Sequence, residues 1–186
     1  MINGGIIKNC TANGGGGIYY KTNKPNGTVN QPKLCILSGS VEQNIANGKD
    51  CNGGGIYLYG GCMLMSGGAI KSNVSNFGRT DVASSVFYGG GGIYMKSNTR
   101  LDLSGGEISG NGATNAIGGG IFAAEERIYL SVPGDADVKE NTAATGPNIY
   151  SAVILNGTTY NFVAQPSNVQ SGEWGYTAVL NGAPIN

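Results

Sequence analysis

With 186 residues and 40% hydrophobic side chains, the chain is long enough for one ordinary domain with a filled core. Charged residues make up 12%, eleven basic against eleven acidic, and no basic run occurs, which argues against a nucleic-acid or anionic-membrane partner. Histidine is absent, removing the usual neutral-pH acid/base group, the Ser/His and Cys/His nucleophile pairs and the commonest zinc ligand.

Taken in chain order, the sequence is a repeat. The string "GGGGIYY" ending at Tyr20 returns as "GGGIYLY" ending at Tyr59, "GGGGIYM" ending at Met95 and "GGGIFAA" ending at Ala124, with a divergent fifth copy, "GPNIYSA", ending at Ala152. The anchors Ile18, Ile56, Ile93, Ile121 and Ile149 are 38, 37, 28 and 28 residues apart, so a common unit carries loops of variable length. Residues 21–32 and 76–88 lengthen the first two intervals, and long loops on a rigid scaffold are where binding groups tend to sit.

Between the anchors lies a second motif: "INGGIIKN" ending at Asn9, "LSGSVEQN" at Asn44, "SGGAIKSN" at Asn73, "SGGEISGN" at Asn111 and "GDADVKEN" at Asn141. Three residues before each Asn stands Ile6, Val41, Ile70, Ile108 or Val138, and two after it stands Thr11, Ala46, Ser75, Ala113 or Ala143. This is period-2 strand patterning with a bend at the Asn. A third element precedes the SG turn, with the pairs Cys35/Leu37, Met63/Met65, Leu101/Leu103 and Ile128/Leu130. Each unit therefore supplies three short strands, and no helical period occurs anywhere.

Three strands per unit, each apolar on one side only, predict an all-β fold: a right-handed single-stranded parallel β-helix of about five coils. Each coil would bury its inward residues only when the next one stacks on it, about 4.8 Å away. Glycine serves the corners. Asn9, Asn44, Asn73, Asn111 and Asn141 are expected to form a ladder that satisfies turn backbone. The repeats occupy residues 1–155 and their first coil is incomplete, so earlier coils are expected upstream; residues 156–186 lose the repeat and read as a C-terminal cap or linker.

Alternation turns Tyr19, Tyr57, Tyr94, Phe122 and Tyr150 outward if the anchor isoleucines point inward. The resulting row would serve as a platform for sugar rings or for a partner's apolar surface, or simply as cross-strand packing, the plainer account. Catalysis on such a scaffold would need paired carboxylates or a basic residue with clustered acids. The candidates are Asp102, Glu107, Asp135, Asp137 and Glu140 with Arg100 and Arg127, and charge pairing between coils explains them more simply, so no catalytic residue is assigned. "GDAD" at 134–137 lacks further acidic ligands, and "GGGG" lacks the helix and Lys-Ser/Thr of a phosphate loop, so no metal or cofactor is expected. Cys35 is expected in the inward row with Met63 and Leu101, while Cys10 and Cys51 lie in connectors where a bridge stays open.

The units, with "GGAI" at 67–70 followed by Asn73 and "ISGNGATNAIGGGIF" at 108–122, resemble the Gly-rich right-handed β-helix repeats of bacterial surface proteins, such as autotransporter passenger domains and polymorphic outer-membrane proteins. The latter carry Phe three residues before the Asn, where this chain has Ile or Val. The resemblance implies an extracellular or cell-surface module, an adhesin or stalk, with carbohydrate or a host-surface protein as partner. Pectate-lyase-like enzymes share the architecture, which keeps a polysaccharide lyase or hydrolase as the alternative.

Overall fold

The computed structural model describes residues 1–22, 33–48, 52–77, 89–123, 129–131, 137–155, 158–164, 179–180 and 183–184. All regular structure among them is β. The larger sheet contains β1 (Ile2–Lys8), β3 (Ile18–Lys21), β4 (Lys33–Glu42), β6 (Ile56–Lys71), β8 (Ile93–Ser109), β10 (Ile121–Ala123), β11 (Tyr129–Ser131), β12 (Asp137–Lys139), β14 (Ile149–Leu155) and β15 (Thr158–Ala164). The second contains β2 (Thr11–Ala12), β5 (Ile45–Gly48), β7 (Val74–Phe77), β9 (Gly112–Ile117) and β13 (Thr142–Thr145); β16 (Val179–Leu180) and β17 (Ala183–Pro184) form a separate antiparallel pair.

Every pairing in the second sheet is parallel, as is every pairing in the larger one up to β14. Strands of successive repeats lie side by side, as expected of the repeat. Ile18, Ile56, Ile93, Ile121 and Ile149 occupy one register row. A second row runs through Ile7, Val41, Ile70, Ile108 and Val138. These rows, with Ile36, Leu58, Met63, Met65, Met95, Leu101 and Leu103, make the main apolar core. A β-branched residue suits this position because its stiff side chain packs on the pleat above and below at little rotamer cost.

Two expectations about the first repeats are corrected by the register. Ile7, not Ile6, pairs with Val41, and Ile6 is 59% exposed. Leu34 and Ile36 pair with Met63 and Met65, whereas Cys35 pairs with Leu64 on the opposite side and Leu37 is exposed. A one-residue slip turns a strand's side chains to its other face, and both sets of letters were apolar enough to hide it. Leu130 pairs with Leu101, the first position of the predicted pair, and Ile128 lies outside the described residues.

The three short strands expected of each unit are also corrected, because parts of all three run on as one bent strand of 16 residues in β6 and 17 in β8, and only the residues after the Asn form a separate strand. Register shifts mark the bends at Tyr59/Gly61, Met65/Ser66 and Ser66/Ala69. Glycine is needed at the second bend: Gly39 has φ +86°, and a Cβ there would lie 2.5 Å from the Gly5 carbonyl oxygen. The bend before the second sheet works differently. Its left-handed residue is Asn9, Gln43, Ser72, Gly110 or Glu140, with φ between 54° and 59°, so glycine fills it only once.

Strand direction reverses at the last repeat. β15, within the predicted C-terminal segment, pairs antiparallel with β14 from Ile149↔Ala164 to Leu155↔Thr158.

Candidate functional site: asparagine ladder, aromatic stack and charged column

The buried polar core is a ladder of carboxamides. The Asn73 Oδ1 accepts from the Asn44 backbone N–H at 3.0 Å and from its Nδ2 at 2.9 Å. Asn111 does the same for Asn73, and Asn141 for Asn111. Each Nδ2 also donates to a strand carbonyl: Asn44 to Ile7, Asn73 to Val41, Asn111 to Ile70 and Asn141 to Ile108, all within 3.0 Å. A buried amide without partners is costly, so Asn is tolerated only because each one is saturated by its neighbours.

Asn9 is not in this ladder. Lys8 pairs with Glu42, so Asn9 matches Gln43 at the left-handed bend, and Cys10 matches Asn44: the Cys10 N–H donates to Asn44 Oδ1 at 3.1 Å. The corresponding small residue is Ala12 rather than Thr11, since Ala12 pairs with Ala46. One signal was available, because Cys10 precedes Ile18 by the same eight residues that separate Asn141 from Ile149.

Sequence reasoning missed the other end. The glycine just before each anchor isoleucine lies against the ladder, so a Cβ on Gly55 would come within 2.9 Å of Asn73 Nδ2, and one on Gly120 within 2.8 Å of Asn141 Nδ2. In the fifth copy this position is Asn148. Its Oδ1 accepts from the Asn141 N–H at 3.3 Å and Nδ2 at 3.1 Å, taking the place of the next ladder carboxamide. The letter N in "GPNIY", where the other copies have G, was the visible sign.

The five predicted aromatic residues do stack in chain order. Ring centroids are 4.9 Å apart for Tyr19–Tyr57, 5.1 Å for Tyr57–Tyr94, 5.0 Å for Tyr94–Phe122 and 5.7 Å for Phe122–Tyr150. They point away from the main core, as alternation requires, but the expected open strip is corrected. Phe122 is 0% exposed, Tyr94 2% and Tyr57 9%, and these three form a second apolar cluster with Tyr59, Ile117 and Tyr150 packed on it. Tyr19, at 55%, is the exposed ring of the stack. Offset stacking contributes about 0.5–1.5 kcal/mol per pair beyond area burial, which explains the row without a ligand.

Three of the five candidate carboxylates, Asp102, Glu107 and Asp137, are engaged in pairs. Asp102 receives the Arg100 Nε at 2.7 Å on its own strand, and Glu42 lies 3.4 Å from Lys71 on the next one. Lys139 pairs with Asp137 and, at 3.8 Å, with Glu107 across β12 and β8. Glu140 occupies the exposed left-handed bend, while Arg127 and Asp135 lie outside the described residues. No three His, Cys, Asp or Glu side chains gather around a point among the described residues. Cys10 carries a free thiol, and Cys51 lies outside them.

Two titratable groups give local predictions. The Ser40 hydroxyl donates to Glu42 at 3.0 Å and holds its carboxyl below the usual range, with the Lys71 and Lys8 ammonium groups adding to the effect and partial burial opposing it. A lowered folded-state value means that the stabilisation is present above the ordinary value of 4.5 and is lost as pH falls through the folded one. Urea midpoints measured from pH 6 down to 3 should therefore fall less steeply for Glu42→Gln than for the parent. The Tyr20 hydroxyl is buried beside Gly61 with no hydrogen-bond partner among the described residues, and burial, then the Cys62 and Cys35 thiols, pushes its ionisation upward. Tyr20→Phe removes an unsatisfied group and is expected to raise stability by about 1 kcal/mol in urea melts, since the ring keeps its packing.

A charged column accompanies the stack two residues further along the strands. Lys21 pairs with Tyr59 and Tyr59 with Lys96, and the two ammonium groups lie 5.0 and 5.5 Å from the Tyr59 ring centroid.

Fold and site together define an all-β protein of parallel repeated strands with an asparagine ladder. No family model matches the chain, and no curated protein or solved structure matches it.

Proposed function

We propose that the chain is a right-handed parallel β-helix and serves as a non-catalytic module of a bacterial cell surface, an adhesin or stalk of the Gly-rich repeat kind. The helical path is supported by the chain order, in which a strand of the larger sheet is followed by one of the second and the chain returns one position further along. Such crossovers are right-handed in about 98% of cases.

The observation that carries the functional reading is that the repeated rows satisfy one another. Carboxylates pair with cations along the strands, rings stack on rings, and amides saturate amides. An arrangement of this kind gives stiffness along the stacking direction and leaves few polar groups to act on a bound molecule. A surface position agrees with the resemblance to autotransporter passenger repeats and with long loops as contact points.

The test is incubation of the purified chain with a panel of neutral and acidic polysaccharides, reading new reducing ends and unsaturated products at 235 nm, alongside a glycan-binding array. Binding without product formation is the expected result. Catalytic product formation would overturn the reading in favour of a lyase or hydrolase.

A further inference from the structure

Three described cations have a carboxylate, Lys71 with Glu42, Arg100 with Asp102, and Lys139 with Glu107 and Asp137, and Lys8 acts on Glu42 without forming an ion pair among the described residues. Lys21 and Lys96 are different. Neither forms an ion pair with a described residue, and both are held over the one ring of Tyr59, on three consecutive strands in register. Their Cα atoms sit two strand spacings apart, roughly 9.6 Å.

Two cations on one ring repel each other, and no described carboxylate pairs with either of them. An anion between them or spanning them would relieve it. The ring's faces attract the ammonium groups, which restrains two otherwise mobile side chains before any ligand arrives and lowers the entropy lost on binding. The Tyr59 hydroxyl has no described partner and, unlike that of Tyr20, is not buried. Tyr19, the exposed end of the aromatic stack, stands two residues before Lys21 on the same face.

We propose that Tyr19, Lys21, Tyr59 and Lys96 form a binding site for an acidic polysaccharide lying along the stacking direction. Its carboxylates meet the two ammonium groups, its hydroxyls meet the Tyr59 phenol, and one sugar face rests on Tyr19. This assignment deepens the surface-module reading and rests on it. Two fixed cations in a chain of zero net charge suit a ligand of modest charge density with stacking surfaces, rather than a nucleic acid, whose binding needs many phosphate contacts.

Polygalacturonate is the probe, with its fully methyl-esterified form and polyglutamate as controls, measured by calorimetry at 50 and 300 mM salt on the full chain. Binding of polygalacturonate should weaken at least about tenfold in the Lys21→Gln/Lys96→Gln variant, with an unchanged Tm. It should also weaken with salt, because exposed charges are screened, and fall several-fold in Tyr59→Phe, which keeps the ring and loses the hydroxyl. Equal affinity of parent and double variant overturns the site, as does equal affinity for the esterified polymer. Polyglutamate binding as tight as polygalacturonate overturns the choice of a sugar ligand. Neutral glycans bound alone would overturn this site but leave the surface-module reading intact, whereas turnover of polygalacturonate would overturn that reading while the lysine variants still report on the site.

Discussion

Asn111→Ala is expected to destabilise the protein by about 4 kcal/mol in urea unfolding followed by circular dichroism. Four side-chain hydrogen bonds disappear: Oδ1 no longer accepts from the Asn73 N–H and Nδ2, and Nδ2 no longer donates to the Ile70 carbonyl and Asn141 Oδ1. Asn73 Nδ2 keeps the Val41 carbonyl, but the Asn73 N–H and the Ile70 carbonyl stay buried without these partners. Each buried orphan costs about 1–3 kcal/mol, and the vacated volume adds to it. Against a typical total of about 5–15 kcal/mol, the loss is a large share of what holds such a domain folded. Asn111→Asp separates the ladder from simple packing. The second carboxylate oxygen would face the Ile70 carbonyl and Asn141 Oδ1, so its folded-state ionisation moves up, and the variant should gain stability as pH falls and lose it as pH rises. A loss below about 1 kcal/mol for Asn111→Ala would mean that the ladder is incidental to stability.

Gly91→Ala is the second large effect, at about 3 kcal/mol or more, the upper end for overpacking. The reason is contact, not backbone conformation. A Cβ at this position would come within 2.4 Å of the Gly112 carbonyl oxygen, 2.5 Å of its carbon and 2.5 Å of the Gly119 carbonyl oxygen. All three are backbone atoms, and Gly91 is itself fixed by pairing on both sides: its N–H donates to the Gly118 carbonyl at 3.1 Å, and its carbonyl accepts from the Gly55 N–H at 3.0 Å. No rotamer change can relieve the clash, so two repeats must separate. Gly112→Ala provides the contrast, because its Cβ would meet only the Thr142 hydroxyl at 3.2 Å. That change should be within about 0.5 kcal/mol of neutral by the same measurement, as expected where a movable side chain is the obstacle. If both glycine variants behaved alike, close packing of the Gly-run columns would be excluded as the reason for the motif.

The repeat was legible because stacking imposes the same demand on every copy. An inward position must be apolar and β-branched five times over, which is why Ile18, Ile56, Ile93, Ile121 and Ile149 could be aligned by eye and do share a register row. The same logic located four of the five ladder positions. It failed for Asn9 because both Asn9 and Cys10 suit an exposed end of the ladder, where a polar letter at the bend imitates the rung. The aromatic row was legible as a row, but its burial was not.

Period and composition alone therefore determined that this chain is all-β, repetitive and stacked in parallel, since alternation and recurring Asn and Gly are local and show in one dimension. Tertiary structure decided the rest. Whether Phe122 is covered and whether Lys21 and Lys96 meet at the Tyr59 ring depend on groups far apart in sequence. Burial and pairing are properties of what lies next door in space, and the intervals of 28 to 38 residues between repeats bring those neighbours from different copies.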